Sequence, residues 1–267
     1  MFGGLNASIA SQFGMGPDRS VKEILASLPA MLPWSWSNLI IFNLHNQRGH
    51  IATAEDRINK PWRPTPSRRI SSNQATWIMY CMYPVIFGVS FTSGGLGPCL
   101  FEVFSCLWYN EWGGASDPFL KNLLNGLGFA CCFAGPMEVA TGHSIFCGQG
   151  KAALWLLVLA ATITTTSHAQ DFRDMEGDRA SGRKTVPLVI GDAKGRVLLA
   201  VGILGWTFVF CWFWGVGITE WRRYIVACFS GSAMAGNFLR DRTREGDTLS
   251  WKLFHHGSLV FPFCPFR

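Results

Sequence analysis

The sequence predicts an all-α fold, a polytopic integral membrane helical bundle. Three observations carry that prediction. Hydrophobic residues fill 49% of the 267 positions and charged residues only 15%, against about 25% charged in an ordinary soluble domain. Apolar runs recur at close to the length a helix needs to cross a bilayer, roughly 20 residues. Lys and Arg crowd into alternate loops. The 12 Trp and 21 Phe suit lipid contact and interfacial belts. The net charge of +6 is accounted for by bilayer topology, so neither a nucleic acid nor a protein partner is expected. The nine Cys fall mostly inside apolar runs and form no C-x-x-C pair. They read as small packing residues, neither disulfides nor zinc ligands.

In chain order, residues 1–21 are polar and Gly-rich, and are expected to be a loose segment without a signal-peptide pattern. Residues 22–267 are expected to form a single transmembrane domain. The first apolar run spans Ile24 to Leu44 and contains Pro29 and Pro33, with Trp34 and Trp36 as interface or cavity aromatics. Further runs cover 73–93, 98–112, 119–142 and 151–170, then 197–218, 224–239 and 251–263. That predicts about eight crossings, with 98–112 and 251–263 short for the purpose. Glu102, Asn125 and Glu138 sit inside apolar runs, where polar groups are costly and tend to face a cavity.

If each run crosses, loops 46–72, 113–121, 171–196 and 240–252 share one side. That side carries 17 of the 23 Lys and Arg, and the other carries 6. The positive-inside rule makes the richer side cytosolic. Two acidic stretches then face the cytosol together.

In the second stretch, Asp171, Asp174 and Asp178 are spaced i, i+3, i+7, which places three carboxylates on one helix face. Such hard oxygen donors suit Mg²⁺, completed by water and substrate phosphate. Gly182, Arg183 and Lys184 follow and can hold an anion. The plainer alternative is a solvated loop helix, salt-bridged through Arg173 and Arg179. The first stretch offers Asn46, Glu55 and Asp56, followed by Lys60 and Arg63. Glu55 and Asp56 point about 100° apart on a helix and need not serve one ion. Two such clusters can hold Mg²⁺ and a diphosphate, and the apolar bundle suits a long tail. The implied substrate is an isoprenyl diphosphate. Cations would neutralise the leaving group. Aromatic faces would stabilise an allylic cation by about 0.5–2 kcal/mol each, and water must be kept out. His168, one turn before Asp171, is either a proton acceptor or structural. His255 and His256 belong to the last helix or to a frayed end.

The pattern Asp171-x-x-Asp174-x-x-Gly177-Asp178-x-x-x-Gly182-Arg183-x-Thr185-x-Pro187 resembles the second aspartate-rich motif of the UbiA superfamily of intramembrane prenyltransferases. Asp56-Arg57-Ile58-Asn59-Lys60-Pro61-Trp62-Arg63-Pro64 is similar to the end of the first motif. The resemblance implies the UbiA-like helical membrane fold over roughly residues 22–264 and an endoplasmic reticulum location. It implies Mg²⁺ as cofactor and Asp171, Asp174, Asp178 and Asp56 as the catalytic acids. With Glu55 and Asn46 these would be the metal ligands, and Lys60, Arg63, Arg183 and Lys184 the diphosphate contacts. Two departures stand out. Counting back from Asp56, the family's first aspartate falls on Ala52 and its asparagine on Arg48. One apolar run precedes the first motif where the family has two, so the bundle is expected to lack the family's first helix. The pattern looks like the fungal terpene cyclase branch, implying cyclisation of farnesyl or geranylgeranyl diphosphate. The alternatives are prenyl transfer to an aromatic or other small acceptor, and a truncated member without activity.

Overall fold

Long apolar helices make up most of the chain, and short helices, among them the polar His50–Asn59 and Asp171–Ala180, are set between them. The computed structural model describes residues 2–216 and 220–260, with side chains for 3–216 and 220–253. The end of the last apolar run and Cys264 lie outside the described residues, and His255 and His256 outside the described side chains. Thirteen α-helices and no strand occur among the described residues. The chain divides into two units, residues 1–164 and 165–267.

In the first unit, α1 (Phe2–Leu5) runs into a 3₁₀ stretch, Asn6–Phe13. Ala7, Ala10 and Phe13 of that stretch are buried. The short α2 (Val21–Ala26) opens with a reciprocal capping box between Ser20 and Glu23. Helix α3 (Leu28–Arg48) places Pro29 in its first turn, where a missing N–H costs nothing. Gly49 is extended, with φ −68° and ψ 146°, and separates α3 from α4 (His50–Asn59). Then follow α5 (Ser72–Ser93), α6 (Leu96–Asn110), α7 (Pro118–Thr141) and α8 (Lys151–Thr166).

Helix α3 packs on α5, α6 and α7. Trp34 is 1% exposed, and its indole N–H donates to the Gly95 carbonyl at 3.2 Å. Trp34 is therefore core, whereas Trp36 is exposed. The ring lies against Gly135, where an added Cβ would come within 2.0 Å of it. Gly135→Ala is expected to cost about 1–3 kcal/mol by overpacking, read as a lower melting temperature in detergent. Of the acids inside apolar runs, Glu102 accepts from the Cys132 thiol at 3.7 Å, and Glu138 accepts from the Ile145 N–H at 2.9 Å. The eight described cysteines are all free.

In the second unit a 3₁₀ turn, Ser167–Gln170, leads into α9 (Asp171–Ala180). Next come α10 (Val186–Ile190), α11 (Asp192–Phe213), α12 (Trp221–Arg240) and α13 (Arg244–Val260). The core holds Phe172, Leu199, Ile203 and Phe238. Arg196 is fully buried beside it. Its two terminal nitrogens donate to Asp247 at 2.6 and 2.8 Å, and its Nε donates to Asp192 at 2.8 Å. It also donates to the Phe238 carbonyl at 3.0 Å, and its guanidinium lies 4.3 Å over the Phe172 ring. One side chain thereby ties together α9, α11, α12 and α13.

Trp77, Phe91, Phe208, Trp212 and Phe229 are all more than half exposed. That much outward aromatic surface suits lipid rather than water. Four described stretches are long and apolar enough to cross a bilayer: Ser72–Ser93, Pro118–Thr141, Lys151–Ala180 and Asp192–Phe213. The expectation of about eight crossings exceeds this number. Helix α6, at 15 residues, is about 22 Å long, short of a hydrocarbon core of about 30 Å.

Candidate active site

Helix α9 carries the second acidic stretch. Asp171 and Asp174 lie in its first turn, where the helix dipole favours negative charge. Asp171, Asp174 and Asp178 are 3%, 8% and 1% exposed, so the i, i+3, i+7 face is a buried one. This excludes a fully solvated acidic loop. Part of the salt-bridge alternative is realised, since Arg173 Nε stands 3.5 Å from Asp174 Oδ1. Arg179 is exposed.

The end of α9 explains Gly182. The Gly182 N–H donates to the Arg179 carbonyl at 3.2 Å, and the Arg183 N–H donates to the Asp178 carbonyl at 2.9 Å. This is a Schellman closure, which needs a left-handed residue, and Gly182 has φ +70°. The turn brings Arg183 back, with Nη1 3.9 Å from Asp178 Oδ1. Lys184 is exposed. A Cβ at Gly182 would meet nothing within 4 Å, so the cost of Gly182→Ala is conformational, about 1–2 kcal/mol. A drop in melting temperature of that size checks it.

Helix α4 carries the other stretch. Glu55, Asp56 and Asn59 are buried. Arg63 Nη1 donates to Asp56 Oδ2 at 2.8 Å, and Lys60 Nζ lies 4.0 Å from Asp56 Oδ1. Burial pushes the Asp56 carboxyl up from its ordinary value, while the hydrogen bond and charge of Arg63, with Lys60, pull it down. Asn46 belongs to α3, across the break at Gly49, so a helix register counted back from Asp56 does not carry one face through to it. Within each unit the structure thus joins Asp56 to Lys60 and Arg63, and Asp178 to Arg183.

The donor set fits Mg²⁺ in kind: buried carboxylate oxygens on short helices. Among the described residues no three His, Cys, Asp or Glu side chains are grouped to hold an ion by themselves. Mg²⁺ usually takes only one or two carboxylates and completes its shell with water and substrate phosphate. His168 is buried, with Nε2 3.3 Å from the Gly195 carbonyl.

One cluster was not legible from motif spacing. His45, buried on α3, has Nε2 2.7 Å from the Tyr83 hydroxyl and Nδ1 3.1 Å from Glu111 Oε1. Arg48 binds the same Glu111 oxygen. An ionised carboxylate can only accept, so in the neutral ring Nδ1 carries the proton and Nε2 accepts from Tyr83. The position at which the resemblance expects asparagine is thus occupied by an arginine already engaged by Glu111. A histidine at the end of one apolar run and a tyrosine inside the next were the available signal.

Comparison with known proteins identifies the family. The model of the UbiA prenyltransferase family matches residues 25–260. The chain is 30% identical over 238 residues to the fumagillin beta-trans-bergamotene synthase of Aspergillus fumigatus, covering 87% of this chain and 79% of that one. It is 32% identical over 157 residues to the digeranylgeranylglyceryl phosphate synthase of Methanobrevibacter smithii, covering 56% of this chain and 53% of that one. A solved UbiA homolog from Archaeoglobus fulgidus, bound to GPP and Mg²⁺, superposes with a TM-score of 0.63 at 13% identity, covering 98% of this chain and 94% of that one. The family match spans most of the sequence and the two aspartate-bearing helices lie inside it, so the chain belongs to the UbiA prenyltransferase family.

Proposed function

We propose that this membrane protein ionises farnesyl or geranylgeranyl diphosphate with Mg²⁺ and cyclises the resulting allylic cation. The single observation that carries the reading is the buried aspartate face of α9, followed by Arg183 on a turn that returns it to Asp178. Asp171, Asp174 and Asp178 would hold Mg²⁺, with Asp56, Glu55 and Asn46 as the further ligands. Bound Mg²⁺ would neutralise charge on the diphosphate as it leaves. Arg183, Lys184, Lys60 and Arg63 would bind the diphosphate oxygens and orient them. Apolar and aromatic side chains would exclude water, which would otherwise trap the cation as an alcohol. Both acidic stretches would face the cytosol, in a multi-pass protein of the endoplasmic reticulum.

Prenyl transfer to an aromatic or other small acceptor shares this machinery and is the second reading, supported by the synthase relative from Methanobrevibacter smithii. Cyclisation is favoured by the relative covering most of the chain. It is also favoured by Ala52 and the Glu111-bound Arg48 standing where the resemblance expects an aspartate and an asparagine. Membranes containing the protein, given Mg²⁺ and either diphosphate without acceptor, are expected to yield cyclic hydrocarbon and free diphosphate. Product formed only with an added acceptor would favour transfer. No turnover under either condition would mean that this chain lacks the activity.

A further inference from the structure

The first unit carries a groove of 410 Å³ between α3, residues 64–70 and the start of α5. Its size is that of a ligand site, which typically holds about 300–1,000 Å³. Trp36, Ile40, Asn43 and Gln47 follow one another along one face of α3. At 1.5 Å per residue this face is about 16 Å long. One end is apolar, at Trp36 and Ile40. The other is polar, where Asn43 and Gln47 meet Thr65.

Two features of the polar end call for a partner. Gln47 Oε1 and Thr65 Oγ1 are buried and make no hydrogen bond, which is unfavourable unless a ligand completes them. The segment that walls this end, through Pro64, Thr65 and Ile70, also carries the exposed Arg68 and Arg69. Arg68 has φ +60°, the one left-handed non-glycine among the described residues. Its N–H donates to the Thr65 carbonyl at 3.1 Å, and the Arg69 N–H donates to the Pro64 carbonyl at 2.9 Å. The Arg69 guanidinium donates to the Ser67 hydroxyl and the Trp62 carbonyl, and the two arginines flank the groove without lining it, adding positive charge beside its polar end.

A long apolar wall, then a hydrogen-bond acceptor and a hydroxyl, then two cationic residues describe the complement of one class of molecule. We propose that the groove binds an anionic glycerophospholipid from the leaflet that meets these arginines. One acyl chain would lie along Trp36 and Ile40. The Thr65 hydroxyl would donate to an ester carbonyl, and Gln47 Oε1 would accept from a headgroup donor. Arg68 and Arg69 would pair with the phosphate and the anionic headgroup. Basic residues at a membrane surface select anionic lipid in this way. The site uses none of the residues assigned to magnesium or diphosphate, so it stands whether or not the chain cyclises prenyl diphosphates.

The test is native mass spectrometry of the full chain in neutral detergent, titrated with phosphatidylserine and with phosphatidylcholine of the same acyl composition. Wild type is expected to retain one phosphatidylserine in preference to phosphatidylcholine. Arg68→Gln with Arg69→Gln should weaken phosphatidylserine retention by about fivefold for each charge removed, with the lipid-free melting temperature near wild type. Asn43→Phe, which fills the groove, should abolish retention of the ordered lipid. Should that variant fail to fold, the arginine pair decides the question alone. Equal retention of both lipids by wild type would overturn the proposal. So would a double arginine variant that binds phosphatidylserine like wild type. One-for-one displacement of the lipid by farnesyl diphosphate would also overturn it, since the groove would then belong to the substrate.

Discussion

Asp174→Ala is expected to lower turnover of farnesyl or geranylgeranyl diphosphate by a hundredfold or more, with membrane insertion and melting temperature nearly unchanged. The side chain is buried on the first turn of α9, within 3.5 Å of Arg173. Its loss would remove an oxygen donor from the magnesium site and leave the cationic side chains in place. Removing one electrostatic contact to the charge that develops in a transition state typically costs about 10²–10³ in rate. Asp174→Asn should behave almost as badly, because an amide keeps the shape and loses the charge. A variant with wild-type turnover would exclude Asp174 from the site. A variant that is inactive and also poorly folded would make the residue structural, which is why both properties are measured on one preparation.

The second large effect is on stability. Asp247→Ala should destabilise the protein by about 3–5 kcal/mol, the usual cost of leaving one partner of a buried ion pair alone. Asp247 supplies both carboxylate oxygens to Arg196, at 2.6 and 2.8 Å. Without it the buried guanidinium keeps Asp192 and the Phe238 carbonyl, and two of its nitrogens lose their anion. Arg196 also lies over Phe172, so the loosening should reach α9 and its aspartates. The apparent melting temperature should fall by on the order of 10 °C. Replacing both partners together, Arg196→Met with Asp247→Leu, should recover much of the loss, because an apolar pair of similar volume is often as stable as a buried ion pair. If the double variant is as unstable as the single one, the pair contributes through geometry that methionine and leucine cannot copy.

How much of this was legible beforehand depended on the range of the interaction. Helices α5 and α7 fall almost where the apolar runs placed them, because composition alone sets where a lipid-facing helix lies. Helix α11 starts at Asp192, ahead of its apolar run. Hydropathy counts Asp192 and Arg196 as loop charges, whereas the fold buries Arg196 by pairing it. Arg196 was tallied among the basic residues of one side, Asp247 falls in a loop of that same side, and nothing in their spacing announces that they meet. The same holds for His45 on α3, Tyr83 on α5 and Glu111 just after α6. The acidic helix was more readable. Its three aspartates are spaced by local helix geometry, and Gly182 marks its end. The first acidic stretch was less so, since the extended Gly49 interrupts the helix across which a register had been counted.

The central claim is that a divalent cation joins these aspartates to a prenyl diphosphate. The most direct measurement is calorimetric binding of a non-ionisable farnesyl thiodiphosphate to the purified full-length protein, with Mg²⁺ and with EDTA. Binding is expected only with Mg²⁺, absent in Asp174→Ala and weakened in Asp56→Ala. Equal affinity in EDTA, or wild-type affinity in both variants, would contradict it.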